Sequence, residues 1–205
     1  SSVSFETMKS KRTFDLLLTI PGLILLAPVM LSIAIWVKLD SKGPIFFKQK
    51  RVGYKERPFW VYKFRTMVPD AEKKGLQLTT AEDSRVTRSG RFLRKYKLDE
   101  LPQLINVLKG EMSLVGPRPE VSRYVEFYPA SIRDVVFSTP PGITDLASIE
   151  FKDENTLLKE ATNPEETYIK QILPIKLNYY VQYVQNRSIK GDLRIIIKTI
   201  TSLLR

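Results

Sequence analysis

Two adjacent carboxylates, Asp99 and Glu100, stand near the middle of a chain of 205 residues that contains no cysteine and no histidine. Disulfides, thiol nucleophiles, Ser-His-Asp triads and histidine-based zinc sites are therefore excluded. A carboxylate can attack phosphorus to form an acyl phosphate, so Asp99 is a candidate nucleophile or Mg²⁺ ligand. Glu100 is a candidate second ligand or base. The alternative is an acidic pair that only offsets a helix dipole.

The segment after the pair is predicted to form a short helix. Pro102 is best tolerated in a first helical turn, and Gly110 is typical of a C-cap. Apolar residues recur between these positions at helical spacing, namely Leu101, Leu104, Ile105 and Leu108. Asp99 and Glu100 are thus expected at or just before a helix N-terminus, where unpaired N–H groups favour anions and phosphates.

A predicted β-hairpin supplies candidate cations for a diphosphate. Its strands are Pro44–Gln49 and Pro58–Met67, two runs rich in aromatic and β-branched residues on either side of the turn-like sequence VGYKERP. Side chains two residues apart share a face of a strand, so Lys63 and Arg65 are expected to point the same way. They would form either a solvated strand edge or a cationic floor under a diphosphate.

Further cations flank the carboxylate pair. The basic segment Gly90–Leu98 includes Arg94 and fits an interfacial helix or a solvated one. In Gly116–Pro119, a proline on each side of Arg118 restricts the backbone and suits bidentate phosphate contact, although an exposed tight turn is the plainer interpretation. A second Pro/Gly turn is predicted at Pro140–Thr144.

Charge and hydropathy point to an anionic partner and a membrane. The net charge of +11 and pI of about 9.7 favour nucleic acid, an acidic membrane surface or a phosphorylated substrate. Phe14–Val37 is apolar over roughly the length needed to span a bilayer. Pro21 and Pro28 interrupt it, and basic residues flank both ends, so orientation is not fixed by charge. A single span, a re-entrant hairpin broken near Pro28 and a buried core helix are the three alternatives.

The C-terminal segment Asp192–Leu204 is amphipathic. Its leucines and isoleucines occupy a broad face from which Arg194 and Lys198 point away. This pattern predicts either a core helix or a helix lying in the bilayer interface.

Four strings of the sequence together resemble the bacterial sugar transferases, and more narrowly the monotopic polyprenyl-phosphate phosphoglycosyl transferases. They are KRTFDLLL near the start, VYKFRTM at Val61–Met67, the stretch from Asp83 to Pro119 that ends in LVGPRP, and PGIT at Pro141–Thr144. The resemblance implies transfer of a sugar-1-phosphate from a UDP-sugar to polyprenyl (undecaprenyl) phosphate, with release of UMP. It implies that Asp99 attacks phosphorus beside Mg²⁺, with Glu100 as the second member of the dyad.

The resemblance also assigns other positions. It implies a re-entrant membrane helix broken at Pro28 and contacts to substrate from Lys63, Arg94, Arg118 and Asp192, to which the strand pattern adds Arg65. The sequence departs from the family pattern at two places. Ala27 stands where many members have serine, and Asp145–Lys152 replaces a glycine-containing segment that helps to hold the nucleotide-sugar in some members.

We therefore predict an α+β, mostly helical fold. It comprises a re-entrant, proline-broken N-terminal membrane helix within residues 1–40 and a compact catalytic domain over residues 41–205, with a small β-hairpin and surface amphipathic helices. The expected location is the cytoplasmic face of the bacterial inner membrane. Expected partners are UDP-sugar, polyprenyl phosphate, membrane lipids and Mg²⁺; a homodimer is left open, and nucleic acid is not expected.

Two other functions are compatible with parts of the sequence. A non-catalytic basic module anchored to the membrane would bind acidic lipids or nucleic acid in a salt-dependent way, indifferent to Asp99 and Glu100. A subunit of a multi-span transferase would need further long apolar segments.

Overall fold

The computed structural model describes residues 2–69, 71, 83–151 and 154–203, of which 2–7, 155 and 156 are described by their backbone alone. The chain is mostly helical. Its helices are α1 (Ser2–Asp40), α2 (Arg88–Lys95), α3 (Gln103–Lys109), α4 (Ser122–Val125), α5 (Ala130–Val136), α6 (Leu146–Glu150), α7 (Glu154–Glu160), α8 (Pro164–Thr167), α9 (Leu173–Asn186) and α10 (Ile189–Leu203). Its strands are β1 (Phe46–Val52), β2 (Pro58–Phe64), β3 (Ser113–Val115) and β4 (Gly142–Thr144).

The predicted hairpin is confirmed. Strands β1 and β2 pair antiparallel, with Phe46 opposite Phe64 and Val52 opposite Pro58. One face of β2 packs on α3 and the segment after it through Phe59 and Val61, which join Val107 and Met112 in a buried cluster. The hairpin therefore rests on the helix that follows the carboxylate pair.

The prediction of a second turn at Pro140–Thr144 is wrong in its last three residues, which form β4. Strand β4 pairs in parallel with β3, so that Ser113 lies opposite Gly142 and Val115 opposite Thr144. A Cβ on Gly142 would lie 2.0 Å from the backbone nitrogen of Gly116. Glycine is needed here because two backbones approach closely, and not because the chain turns.

Helix α1 is long and its middle is exposed. It runs through Pro21 and Pro28 as one continuous helix, so the break predicted at Pro28 does not appear as an interruption of the helix. Its apolar side chains include Ile24 and Leu25, which are 71% and 77% exposed. A core helix would bury these side chains, so that interpretation is wrong. In the described part of the chain, this is the one helix long and apolar enough to cross a membrane.

Both ends of α1 contact the rest of the chain. Near its start, Lys11 forms an ion pair with Asp192 of α10 at 2.5 Å. At its end, Val37 packs with Phe64 and Leu93, which belong to β2 and α2. The apolar middle thus lies between two segments that are fixed to the same body of the protein.

The largest core cluster is built around α4, α5 and α9. Its members include Tyr124, Val136, Leu173, Leu177 and Tyr180. Helix α10 buries only part of its surface: Ile195 is buried, whereas a stripe of larger side chains is exposed, comprising Ile189, Leu193, Ile197 and Ile200. That stripe favours the interfacial interpretation of α10 over a fully buried helix.

Candidate active site

Asp99 and Glu100 lie in a 3-10 turn, Leu98–Glu100, immediately before α3. The predicted helix is confirmed: Pro102 is at its N-cap, and Gly110 ends it in the left-handed region with φ of 85°. Gly110 has no Cβ, so this conformation carries little steric cost. Both carboxylates are buried, at 7% and 8% exposure.

A buried asparagine fixes α3 against the hairpin. The Asn106 side chain donates a hydrogen bond to the Trp60 carbonyl at 2.7 Å and accepts one from the Tyr62 N–H at 3.1 Å. These bonds satisfy backbone groups on the outer edge of β2, which would otherwise be buried without partners. The next residue of the strand, Lys63, is thereby held opposite Glu100.

Glu100 is neutralised by two cations. Lys63 Nζ donates to Glu100 Oε1 at 2.9 Å, and the Arg118 guanidinium contacts both carboxylate oxygens. Burial alone would raise the pKa of Glu100, but the charges and hydrogen bonds of Arg118 and Lys63 outweigh it and hold that pKa well below its usual range. Glu100 is therefore ionised and already engaged.

Asp99 is in the opposite situation. No described residue donates a hydrogen bond to its carboxylate, although Lys63, Glu100, Arg94 and Arg118 are all close enough to influence its charge. Burial raises the pKa of Asp99 above its usual range, and Lys63 only partly offsets this. A poorly solvated, unpartnered carboxylate is a more reactive oxygen nucleophile than one held in ion pairs.

Both carboxylates line a cavity of about 750 Å³. Its wall is rich in cations, with Arg51, Lys63, Arg85, Arg94, Lys95, Lys97, Arg118 and Lys176. Phe47, Phe64 and Phe151 supply apolar surface, and Asp145, Ser148 and Glu154 supply polar groups on the wall near α6 and α7. Such a wall suits a ligand that joins a polyanionic centre to a less charged portion.

The position of Arg94 follows from how α2 begins. The Thr87 hydroxyl caps the helix by accepting from the Gly90 N–H at 3.0 Å, and a Cβ on Gly90 would lie 2.1 Å from the Thr66 carbonyl oxygen. Arg94 Nε then donates to the Thr66 hydroxyl at 2.9 Å. Burial lowers the pKa of Arg94, against the opposing charge of Asp99, and the guanidinium stays charged.

The structure does not bring Arg65 into this cavity. The residue lies just past the end of β2, and its guanidinium donates to the carbonyl oxygens of Pro44 at 2.6 Å and Ser41 at 2.8 Å. The expected pairing of Arg65 with Lys63 on one cationic floor is therefore wrong. The last carbonyl groups of α1 have no helical partners, and the Arg65 guanidinium donates hydrogen bonds to carbonyl oxygens in that region.

Asp192 also lies outside the cavity lining. Its Oδ2 pairs with Lys11 Nζ, and its Oδ1 accepts from the Tyr183 hydroxyl at 2.8 Å. One oxygen thus joins α10 to α1, and the other joins α10 to α9. The structure places Asp192 between α1, α9 and α10, and the substrate contact that the resemblance implied stays a prediction.

Several cavity residues were not singled out from the sequence as site residues. Phe47, Gln49 and Arg51 all face the cavity from β1, and their period of two is the strand signal that could have identified them. Arg51 donates to the Pro119 carbonyl at 3.2 Å and to Glu120 at 3.1 Å, so it braces the turn that carries Arg118. Asp145 gave no such signal, because its location depends on the pairing of β3 with β4.

The donor set around Asp99 is compatible with Mg²⁺. The described residues contain no group of three or more carboxylates that could enclose a metal. Mg²⁺ is commonly bound by only one or two carboxylates, with water and substrate phosphate completing its shell. The Asp99 carboxylate, which has no described hydrogen-bond donor, would hold the ion.

Comparisons with known proteins show what the chain is similar to. The family model described as "Bacterial sugar transferase" matches residues 6–205. The chain is 39% identical over 196 residues to the UDP-N-acetylgalactosamine-undecaprenyl-phosphate N-acetylgalactosaminephosphotransferase of Aeromonas hydrophila, covering 95% of this chain and 43% of that protein. It is 38% identical over 199 residues to the UDP-glucose:undecaprenyl-phosphate glucose-1-phosphate transferase of Xanthomonas campestris pv. campestris, covering 95% and 39%.

A third relative matches this chain over nearly the whole length of both proteins. The chain is 38% identical over 202 residues to the "Exopolysaccharide production protein PSS" of Rhizobium leguminosarum bv. phaseoli, covering 95% of this chain and 94% of that protein. The chain thus spans less than half of the first two relatives and nearly all of the third.

Proposed function

Because the chain belongs to the bacterial sugar transferase family, we propose that it transfers a sugar-1-phosphate from a UDP-sugar to undecaprenyl phosphate and releases UMP. The activities named for the Aeromonas and Xanthomonas relatives support this reaction class. The main observation in its support is that the two carboxylates have different surroundings. Asp99 accepts no hydrogen bond from a described residue and lines a cavity rich in cations, whereas Glu100 is held by Lys63 and Arg118.

The proposed reaction has two displacements at one phosphorus. A carboxylate oxygen of Asp99 attacks the phosphorus that bears the sugar, and the bond from this phosphorus to the bridging oxygen breaks, so that UMP leaves with the electron pair. The aspartyl phosphosugar is then attacked by a phosphate oxygen of undecaprenyl phosphate. The new diphosphate forms, and the Asp99 carboxylate is regenerated.

Fixed cations favour the first displacement. Lys63 and Arg118 stand beside the attacking carboxylate and can neutralise charge that develops on the departing UMP. Glu100 keeps both cations oriented before substrate arrives, so little reorganisation is needed. Mg²⁺, held by Asp99 and the substrate phosphates, would supply further charge neutralisation when bound.

We further propose that α1 enters the bilayer, bends near Pro28, where proline removes a helical hydrogen bond, and returns to the face that it left. The ion pair of Lys11 with Asp192 and the packing of Val37 on Phe64 support this, because they hold both ends of α1 against one body. From Lys11 to Asp40 a straight helix is about 44 Å long, more than the roughly 30 Å hydrocarbon core. A straight span would carry one end, with its charged contacts, to the far side.

In this orientation, residues 41–205 would lie at the membrane surface. They would act there as one functional unit. The exposed stripe of α10 and the aromatic cluster of Trp36, Phe92 and Tyr96 would lie at the interface. Basic flanks at both ends of α1 favour the cytoplasmic face. The phosphate of a polyprenyl chain would meet the cavity there.

The test is a screen of UDP-sugars with undecaprenyl phosphate in detergent or nanodiscs containing Mg²⁺, followed by UMP release. We expect UMP from at least one UDP-sugar and, without lipid acceptor, a labelled phosphosugar bound at Asp99. No UMP from any UDP-sugar would reject the proposed function. UMP release without a protein-bound phosphosugar would reject only the covalent step.

A further inference from the structure

Lys97 is an exposed lysine at the edge of the cavity that contains Asp99. No described residue forms an ion pair or a hydrogen bond with its ammonium group. Lys63 and Arg118, by contrast, are both bound to Glu100. Lys97 therefore adds to the cavity wall a positive charge that no described residue neutralises.

The backbone of Lys97 joins α2 to the turn that carries the two carboxylates. Its N–H donates to the Arg94 carbonyl at 3.2 Å, and its carbonyl accepts from the Glu100 N–H at 3.3 Å. The Cα atoms of Lys97 and Asp99 are at most about 7 Å apart, because one residue separates them. An extended lysine side chain can thus reach an anion that also touches Asp99.

The left-handed conformation of Lys97, with φ of 52°, does not by itself indicate a function. Lys55 in the hairpin turn has φ of 53° and lies outside the lining of the cavity. Lys97 differs from Lys55 in its access to the cavity and in the identity of its neighbours.

Both neighbours of Lys97 adjoin the membrane helix or residues that contact it. Leu98 packs against the buried cluster at the end of α1. The Tyr96 ring lies 4.8 Å from the Phe92 ring, which lies 5.4 Å from the ring of Trp36 in α1. Phe92 and Trp36 are partly exposed, at 46% and 38%. Lys97 therefore lies between an exposed aromatic surface beside α1 and the carboxylate pair.

The cations that surround Glu100 belong to other elements. Lys63 is in β2 and Arg118 is in the turn after β3, whereas Lys97 follows α2. A diphosphate neutralised by Lys63 and Arg118 would leave Lys97 to a second anion. A lipid whose chain stays in the bilayer next to α1 would bring its phosphate to the carboxylate pair from the side of Lys97.

We propose that the Lys97 ammonium binds the phosphate of the polyprenyl acceptor and holds it beside Asp99 for the second displacement. This inference rests on the proposed function. A phosphomonoester is mostly a dianion near neutral pH, since its second pKa is about 6, and a lysine is a mobile point charge that suits it. The attacking phosphate oxygen becomes the bridging oxygen of the new diphosphate, and the Asp99 carboxylate leaves with the electron pair of the broken bond.

The test compares Lys97→Asn with wild type in steady-state kinetics, with each substrate varied in turn at a fixed detergent concentration. Asparagine tolerates the left-handed region, so the change removes the charge and keeps the backbone conformation. We expect KM for undecaprenyl phosphate to rise about tenfold or more, and KM for the UDP-sugar to stay within about twofold of wild type. Lys97→Arg keeps the charge and should restore KM for undecaprenyl phosphate.

Lys55→Asn is the matched control, because it makes the same change at a left-handed lysine outside the cavity lining. It should leave both KM values unchanged, and thermal unfolding checks that each variant is folded. Binding to phosphatidylglycerol vesicles separates the acceptor phosphate from the phosphate of bulk phospholipid. We expect Lys97→Asn to bind these vesicles as wild type does.

Three outcomes overturn the inference. An unchanged KM for undecaprenyl phosphate in folded Lys97→Asn would make Lys97 a solvated lysine, or a contact of bulk phospholipid if vesicle binding alone is lost. An equal or larger rise in KM for the UDP-sugar would place Lys97 on the donor diphosphate. All three leave the proposed function intact, because wild type still releases UMP. Absence of UMP release by wild type would instead reject the function on which the inference rests.

Discussion

At the scale of single residues, the two neighbouring carboxylates have different environments because they point to different partners. Glu100 faces Lys63 and Arg118, and both cations are held to it by hydrogen bonds. Asp99 is buried beside the same cations without accepting a hydrogen bond from a described residue. Neighbouring positions in a helical turn point about 100° apart, so adjacency in sequence does not imply a shared role.

Replacing Asp99 with asparagine should abolish transfer without unfolding the protein. The pKa of Asp99 is raised by burial, so the folded state disfavours its ionised form, and a neutral amide of similar shape removes that cost. We expect UMP release to fall by at least about a thousandfold, with no protein-bound phosphosugar. Full activity in Asp99→Asn would contradict the nucleophile assignment, and thermal unfolding controls for loss of fold.

Replacing Glu100 with glutamine should destabilise the protein and also slow the transfer reaction. The change leaves Lys63 and Arg118 facing each other without a negative charge, and removal of one member of a buried ion network costs about 3 kcal/mol. Denaturant unfolding in detergent measures this loss. The control is Glu166→Gln, which removes the partner of Lys170 on the surface and should have little effect. Equal unfolding curves for the two variants would rule out a buried network.

At the scale of elements, the cavity depends on how short segments are locked together. The turn that carries Arg118 follows β3, and the α6 wall follows β4. Both are positioned by one parallel pair in which Gly142 and Gly116 meet backbone to backbone. A three-residue strand is too short for side-chain alternation to be visible in sequence, so the segment of β4 was predicted as a turn and β3 was not predicted.

An alanine at Gly142 should therefore disrupt the site through the backbone. Its Cβ would lie 2.0 Å from the Gly116 nitrogen and 2.6 Å from its oxygen, and backbone atoms cannot move aside as a flexible side chain can. We expect a loss of about 3 kcal/mol in the free energy of unfolding. Gly22→Ala is the control, because a Cβ there meets nothing within 4 Å. Equal stability of the two variants would contradict the close approach.

The hairpin turn offers a pH-dependent test. Arg133 of α5 donates two hydrogen bonds to Glu56, at 2.7 and 2.6 Å, and these lower the pKa of the Glu56 carboxyl. A lowered folded-state pKa adds stability above the unfolded-state pKa, and this stability is lost as pH falls through the folded-state value. Glu56→Gln should cost about 0.5 kcal/mol at pH 7, since the pair is exposed, and this cost should shrink as the pH falls through the lowered folded-state pKa of Glu56. A pH-independent difference would exclude the ion pair as its cause.

The sequence predicted those elements whose signals are local. The α3 helix with its Pro102 start and Gly110 end, and the β1–β2 hairpin, follow from residue types a few positions apart. Arg65 was misplaced, and the contacts of Asp192 were not predicted, because their partners are distant in sequence: Arg65 binds backbone at the end of α1, and Asp192 meets Lys11 181 positions away. The polar sequence Val68–Ser89 predicts a helical turn and a long loop, and residues 70 and 72–82 of it lie outside the described residues.

At the scale of the whole molecule, polar anchors and exposed apolar surface have a consistent distribution. The exposed middle of α1 lies between anchored ends, and the exposed stripe of α10 lies on the helix that holds Lys11 through Asp192. Buried ion pairs of this kind fix geometry more reliably than they add stability. Their arrangement fits the proposed function, in which a lipid phosphate would reach the cationic cavity from the bilayer.

Topology labelling tests this arrangement directly. Because the sequence contains no cysteine, each introduced cysteine is the one thiol that can be labelled. Single cysteines at exposed positions on either side of the apolar segment, Ser10→Cys and Lys42→Cys, can be labelled with a membrane-impermeant maleimide. We expect both to react only from the cytoplasmic side, in inverted but not in right-side-out vesicles, because both ends of α1 are anchored to one body. Leu25→Cys, exposed in the middle of the helix, should be shielded by lipid in both preparations and react after detergent is added. Labelling of Ser10→Cys and Lys42→Cys from opposite sides would establish a straight span and require the Lys11–Asp192 pair to break in the membrane.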